Sequence, residues 1–506
     1  MKQSTKAKFI IIGSGFAGLI AAVRLQQIGE RDIIILERAR EVGGVWRDNH
    51  YPGCACDIES HLYSLSFAPN PDWSHTFARR QEIYSYLEGC IERFGLQEAI
   101  RLHHEVQKMT WDELEGIWVI QTNQGEFRAR MVVGAFGALS DPSIPKLEGI
   151  EKFKGLAFHS ARWPADLDMK EKKVAVIGTG ASAIQFIPEI QPQVTKLHVF
   201  QRTPAWVIPK LDAPISEIKK KMFRYVPLLQ RANRLKIYTS REFMVVGFRH
   251  PSIMKKVMKD TLAHMHKDIQ DPELRRKLTP NYTLGCKRVL PSNAYYPALA
   301  QPNVEVHTTG ISKVVEDGII DETGNKVEAD IIIYGTGFKV TNAPLAEYIY
   351  GKEGHTLAQE WNGSPKAYLG ITVAGFPNLF IMQGPNTGLG HSSTLFMMES
   401  QSMHIQKVVK HLQAKRLDII EPKPEAQQRF VDKIAKALEG TVWETGGCTS
   451  WYIDETGRNA SIWPSYTFNY RRLVSDFQAN DYTARLAGIN SYEANVAEER
   501  RTIQIT

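Results

Sequence analysis

Two glycine-rich turns carry the first chemical signal in the chain. In Lys8-Phe-Ile-Ile-Ile-Gly13-Ser-Gly15-Phe-Ala-Gly18 an apolar run enters a turn and then a small-residue helix, LIAAVRLQQIG, ending at Gly29. The three glycines serve different needs. The first permits the tight turn, the second lets main chain approach a pyrophosphate, and the third lets helix pack on strand. The next apolar run, DIIILE, sets Glu37 at a strand tip, where a carboxylate binds a ribose 2′-hydroxyl. The pattern recurs in KKVAVIGTGASAIQF, with Gly178, Gly180 and Ala183 in the three places; the third requires only close packing, so alanine serves. Here the following strand, KLHVFQRT, ends in Gln201-Arg202-Thr203 instead of an acid. A carboxylate would repel a 2′-phosphate, whereas a guanidinium pairs with one through two hydrogen bonds.

Two such turns must be held by two strand-turn-helix units, so the fold class is α/β, with two Rossmann-like dinucleotide-binding domains. One unit suited to a plain ribose and one to a phosphorylated ribose imply an FAD protein reduced by NADPH. Thr179, Ser182 and Gln185, on the second glycine turn and the start of its helix, are within reach of phosphate or nicotinamide. Gly43-Gly44-Val45-Trp46 resembles the second glycine pair of glutathione-reductase-type FAD proteins, which adds Gly44 and Trp46 to the FAD set. Asp330-Ile-Ile-Ile-Tyr-Gly335-Thr-Gly337-Phe338 resembles the strand-turn that leads back to their FAD domain. The expected division is an FAD domain (1–148), a linker (149–164), an NADPH domain (165–210 and 281–340) interrupted by a helical insertion (211–280), and a second FAD part with a C-terminal segment (341–506). Before a helix expected to begin at Ser392 or Ser393 lies Gly384-Pro-Asn-Thr-Gly-Leu-Gly-His391. A helix N-terminus aimed at a flavin would favour the negative charge of its reduced form.

Within the expected linker, FKGLAFHSARWP matches F-x-G-x-x-x-H-x-x-x-W-P at Phe153, Gly155, His159, Trp163 and Pro164. This resembles the fingerprint of type I Baeyer–Villiger monooxygenases, and the resemblance extends from about Phe9 to Pro464 with the motifs in family order. It implies an enzyme that uses NADPH and O2 to turn a ketone into an ester or lactone through a C4a-peroxyflavin, with sulfoxidation compatible as a second activity. Arg288, in GCKRVLP, is then the catalytic cation that holds anionic oxygen, and Asp57, in YPGCACDIES, orients it beside the flavin; on residue type alone Asp57 reads as a turn carboxylate. Lys287 joins Arg202 at the 2′-phosphate, and His159 and Trp163 couple the domains without transferring protons. The alternatives are a flavin-containing monooxygenase that oxidises nitrogen or sulfur with a hydroperoxyflavin, and a non-catalytic FAD/NADPH-binding protein. Trp163 and the Lys287-Arg288 pair weigh against the former, and an FAD disulfide reductase is disfavoured because this sequence has no C-x-x-C pair near the flavin.

The chain has 506 residues, 43% hydrophobic, enough for two or three domains. Its net charge of +7 conceals a local excess: residues 210–277 hold 17 Lys/Arg against 7 Asp/Glu. That insertion reads as helices with solvated basic faces; the alternative, an anionic membrane surface met through Phe223, Tyr225, Phe243, Met244, Val245 and Phe248, is the weaker one. No nucleic-acid motif accompanies the charge. The five cysteines, Cys54, Cys56, Cys90, Cys286 and Cys448, are odd in number and scattered, and are expected as free thiols. No metal site is expected; His391, His264 and His266 lack a ligand spacing and are assigned solvent or capping roles. Without a leader or spanning segment, the location expected is cytoplasmic. Trp451 and Tyr452 are candidate pocket residues, the last ~20 residues, YEANVAEERRTIQIT included, are read as loose, and the oligomeric state stays open.

Overall fold

The computed structural model describes residues 4–340 and 344–488; the tail read as loose lies outside the described residues. Two sheets organise the chain, one mixed and one parallel, each growing from one of the glycine turns. The first is built around β1 (Thr5–Ile12), whose apolar run pairs in parallel with β2 (Ile33–Leu36) on one side and β6 (Gly125–Gly134) on the other. β3 (Ile100–Arg101) extends it beyond β2, and β4 (Val106–Asp112) and β5 (Ile117–Thr122) form an antiparallel meander on β6. Helix α1 (Phe16–Gln27) is nearly all buried, which is why its sequence is small and apolar all round.

The second sheet contains only parallel strands. β7 (Leu156–His159), β8 (Lys173–Ile177), β9 (Lys196–Phe200), β12 (Val304–His307) and β16 (Ile331–Tyr334) stand in the order β12-β9-β8-β16-β7. The expected linker therefore supplies an edge strand, Leu156–His159 on Ile331–Tyr334. Its Gly155 is fixed by space: a Cβ there would overlap the Asp330 carbonyl. An antiparallel layer of β13 (Ile311–Val315), β14 (Gly318–Asp321) and β15 (Lys326–Glu328) covers one face with Val314, Ile319 and Val327. A short parallel pair, β10 (Val207–Ile208) with β11 (Leu290–Pro291), joins the stretch after Arg202 to the stretch after Arg288. Late in the chain β17 (Ile349–Tyr350) and β18 (Leu379–Ile381) return to the first sheet, on β4 and β6, and β19 (Ile419–Pro422) pairs with β20 (Tyr482–Arg485).

The basic insertion is helical, as α5 (Glu217–Tyr225), α6 (Pro227–Arg249), α7 (Pro251–Asp268) and α8 (Pro272–Leu278). Its aromatic residues divide by face: Tyr225 and Phe243 are exposed, whereas Phe223, Val245 and Phe248 are buried in the core and offer nothing to a surface partner. Among the described residues no helix is long and apolar enough to cross a membrane.

The expectation of five free thiols is overturned. Cys286 and Cys448 form a disulfide across 162 residues of sequence, while Cys54, Cys56 and Cys90 are buried thiols. The two half-cystines lie on segments that approach only after folding, so no spacing in the sequence marks them. The bridge joins the residue before Lys287-Arg288 to the turn leading to Trp451-Tyr452.

Candidate active site

The two glycine turns adopt the same backbone, with φ of +106° at both Gly13 and Gly178. A Cβ at Gly13 would overlap the Ala135 carbonyl, one at Gly18 the Gly13 carbonyl, and one at Gly178 the Gly335 carbonyl. The middle glycines differ: around a Cβ on Gly15 or Gly180 the nearest atoms are Gly44 Cα at 3.6 Å and the Gly335 oxygen at 3.9 Å. Internal packing thus requires the outer positions, and the middle ones open to a ligand. The second pair closes over the first turn, with Gly44 against Gly15 and the Gly43 N–H donating to the Ser14 carbonyl at 3.2 Å.

Glu37 is buried directly after β2. Its carboxylate accepts from Ser14 N–H at 3.0 Å, Ser14 Oγ at 2.7 Å, Ala39 N–H at 3.0 Å and Arg47 Nη1 at 3.0 Å. Burial acts to raise its pKa, but Ser14, Arg47 and the main-chain donors outweigh burial and hold it below the ordinary range. Arg47, on α2 (Val45–Asp48), is a partner that no motif announced. The Trp46 indole of the same short helix is buried and donates to Tyr63 Oη at 3.0 Å.

In the second unit Thr179 Oγ1 donates to the Thr203 carbonyl at 3.4 Å, which ties the glycine turn to the tip of β9. Arg202 is exposed there, with no acidic partner among the described residues. Lys287 lies near it, 5.2 Å above the Tyr282 ring; burial lowers the ammonium pKa and the Arg202 charge lowers it further. Two neighbouring cations suit a dianion. Ser182 precedes α4 (Ala183–Ile190) and is half-buried. Gln185, by contrast, faces the first domain: its Oε1 accepts from Tyr51 Oη at 3.1 Å and Ala55 N–H at 3.2 Å, and its Nε2 donates to the Ala55 carbonyl at 3.0 Å.

Arg288 and Asp57 meet between the two units. Nε donates to Asp57 Oδ2 at 2.7 Å, Nη2 lies 2.7 Å from the same oxygen, and Nη1 donates to the Leu389 carbonyl at 3.2 Å. Their side chains keep 28% and 22% exposure, so the pair is held yet reachable. Burial pushes the Asp57 carboxyl up, the guanidinium pulls it down by more, and its pKa is lowered; the carboxylate in turn raises that of Arg288. The neighbouring thiols are not poised for chemistry, since burial raises Cys54 to about 12 and raises Cys56 as well.

Leu389 belongs to the glycine-rich loop before the helix Thr394–Lys415, whose N-cap is Ser393. His391 is buried, with Nε2 3.4 Å from Glu242 on α6, so a solvent or capping role does not hold. Glu242 also accepts from the Thr467 N–H and hydroxyl at 2.7 and 2.8 Å. His391 Nδ1, Ser392 Oγ and Ser393 Oγ are buried with no hydrogen-bond partner among the described residues, a row of polar atoms fitted to a polar ligand. Tyr452 is buried near Arg288, its phenol raised to about 12 chiefly by burial, whereas Trp451 is 45% exposed. His264 contacts the Ser292 carbonyl at 3.1 Å and His266 faces solvent.

The fingerprint residues bridge these parts. Trp163 packs against Tyr51 of the first unit and Phe186 of α4, with ring centroids at 6.4 and 5.3 Å, and against Phe158 at 5.2 Å. His159 accepts from the Ala161 N–H and meets the Phe338 ring at 5.4 Å, so it touches the second crossing of the chain. Phe153 packs on the core of the covering layer, and Pro164 is half-buried.

The chain is similar to known proteins along nearly its whole length. The family model described as pyridine nucleotide-disulphide oxidoreductase matches residues 10–261. A Baeyer–Villiger monooxygenase of Pseudomonas aeruginosa is 47% identical over 497 residues, covering 97% of this chain and 94% of the relative. The crystal structure of cyclohexanone monooxygenase from Rhodococcus sp. Phi1 bound to NADP+ superposes with a TM-score of 0.86 at 27% identity, over 96% of this chain and all of that one. OTEMO in complex with FAD and NADP gives 0.86 at 25% identity, over 95% of this chain and all of the other. With two glycine turns, a bridging tryptophan and a carboxylate-held arginine between them, and with a near-full-length relative at this identity, the chain belongs to the Baeyer–Villiger monooxygenases.

Proposed function

We propose that this protein is an NADPH- and O2-dependent monooxygenase that inserts an oxygen atom beside a ketone carbonyl, giving an ester or lactone. The observation that carries the reading is the Arg288–Asp57 pair, bonded at 2.7 Å and open between the two dinucleotide units. FAD fits the first unit, where Gly15 is open, Glu37 is ionised and His391 Nδ1, Ser392 Oγ and Ser393 Oγ lack a hydrogen-bond partner among the described residues. NADPH fits the second, where Arg202 and Lys287 await a 2′-phosphate; NADPH dependence accords with a cytoplasmic location. Bound in the first unit, FAD would take electrons from NADPH and use them to activate O2 for transfer to the ketone.

The chain's own contribution is electrostatic. A guanidinium has five N–H donors, of which Asp57 and Leu389 occupy three, leaving two for anionic oxygen. With its pKa raised by Asp57, Arg288 stays protonated through the reaction and stabilises negative charge without giving a proton away. Asp57 fixes the direction of those free donors. His159 and Trp163 hold the two units in register, and Tyr452 closes the pocket near the guanidinium.

Rapid mixing and product analysis test this. Arg288→Ala is expected to be bleached by NADPH like the parent, since hydride transfer does not require that cation, and to form no ester from a ketone. Normal ester formation would remove the assignment. Supplying a sulfide beside the ketone separates the readings further: sulfoxide with no ester at all would favour a nitrogen- or sulfur-oxygenating enzyme.

A further inference from the structure

At one edge of the second sheet β9 and β12 run parallel, and their register sets His198 opposite Glu305. Residues two apart on a strand share a face, so His307 stands beside Glu305 on the same side. His198 is buried, His307 half-buried and Glu305 exposed. His198 Nδ1 is 3.0 Å from His307 Nε2, and oxygens of Glu305 lie 3.7 Å from the former and 3.9 Å from the latter. One ligand atom from each residue falls within 4.8 Å of the other two. Donors about 2.0–2.1 Å from a tetrahedral zinc ion stand about 3.4 Å apart, so these three need shift only a fraction of an ångström.

The surroundings are already stiff and open. The Phe200 ring stacks on His307 with centroids 4.6 Å apart, and both backbones are in sheet. A cavity of about 390 Å³ is lined by His198, Glu305 and His307 together with Asp321 and Asn325, which leaves space for a water ligand. Of the lysines lining it, Lys173 is paired with Glu328 and Lys326 with Asp317. Lys196, 3.5 Å from Glu305 and 35% exposed, is the cation that an incoming metal displaces, and it can swing into solvent.

We propose that His198, Glu305 and His307 form a site for a divalent zinc ion that clamps the edge strand β12 to β9. Two imidazoles with one carboxylate suit zinc better than calcium or magnesium, which prefer all-oxygen shells. The clamp lies outside the oxygenation site, and β9 continues from Phe200 directly into Arg202. Its role is to hold the strand that presents this guanidinium.

Holoenzyme stripped with a chelator and retaining its flavin would be titrated with zinc chloride, with bound metal counted by mass spectrometry and the melting midpoint followed. One saturable zinc per chain is expected, with a midpoint that rises on binding. Glu305→Gln, an exposed change that leaves the core intact, and His307→Gln are each expected to weaken zinc binding at least about tenfold. Retained flavin and a single cooperative melting transition report that both variants are folded. No saturable site in the parent, or zinc binding unchanged in both variants, would overturn the proposal.

Discussion

At the scale of single residues, charge sets what each site can hold. Arg202→Ala is expected to raise the KM for NADPH by about 10- to 100-fold, the equivalent of one or two charge-assisted hydrogen bonds, while leaving NADH turnover unchanged; an equal loss with both cofactors would count against the 2′-phosphate role. Asp57 gives a pH signature. Its folded pKa is lowered, so its stabilising contribution is complete above the ordinary carboxylate value of about 3.9 and disappears only as pH falls through the folded value below that. In Arg288→Met the largest opponent of burial is gone, with only Arg241 and a main-chain donor still lowering the carboxyl, so its folded pKa moves up and the acid-side loss of stability shrinks. Denaturant midpoints against pH check this, and a variant curve parallel to the parent's would refute the coupling. The motifs named Glu37, Asp57, Arg202 and Arg288 because each lies at a fixed offset from a glycine turn or in a family segment. Arg47 on Glu37, Glu242 on His391 and the His198–Glu305–His307 cluster were hidden because their partners come together only through sheet register and helix packing.

At the scale of elements, strand-turn-helix units were readable since their apolar runs are short, buried on both faces and punctuated by glycine. Helices α5–α8 were also legible, as a long basic stretch without strand patterning. The edge strand Leu156–His159 was not, because its sequence carries a fingerprint instead of an alternating pattern, and its strand character arises from β16 beside it. The disulfide had no local signal. Cys286→Ser is expected to lower unfolding free energy by about 2–5 kcal/mol, measured as a fall in melting midpoint under non-reducing conditions that vanishes when both proteins are reduced. An unchanged midpoint would mean that the two sulfurs are not joined in solution.

At the scale of the whole molecule, Gln185 of the second unit makes three polar contacts with the first, on Tyr51 and on both main-chain groups of Ala55. Gln185→Leu keeps the bulk but leaves these groups unpaired, at a cost of about 1–3 kcal/mol. The expected result is a larger share of NADPH oxidised without oxygenated product, read as the ratio of ester to cofactor consumed; an unchanged ratio would show that the clasp has no part in coupling. The same amide has a second consequence. Asp57 follows Ala55 by two residues, so a side chain of α4 and the carboxylate that aims Arg288 share one short stretch of main chain: whatever seats the second glycine turn also seats the anchor of the guanidinium.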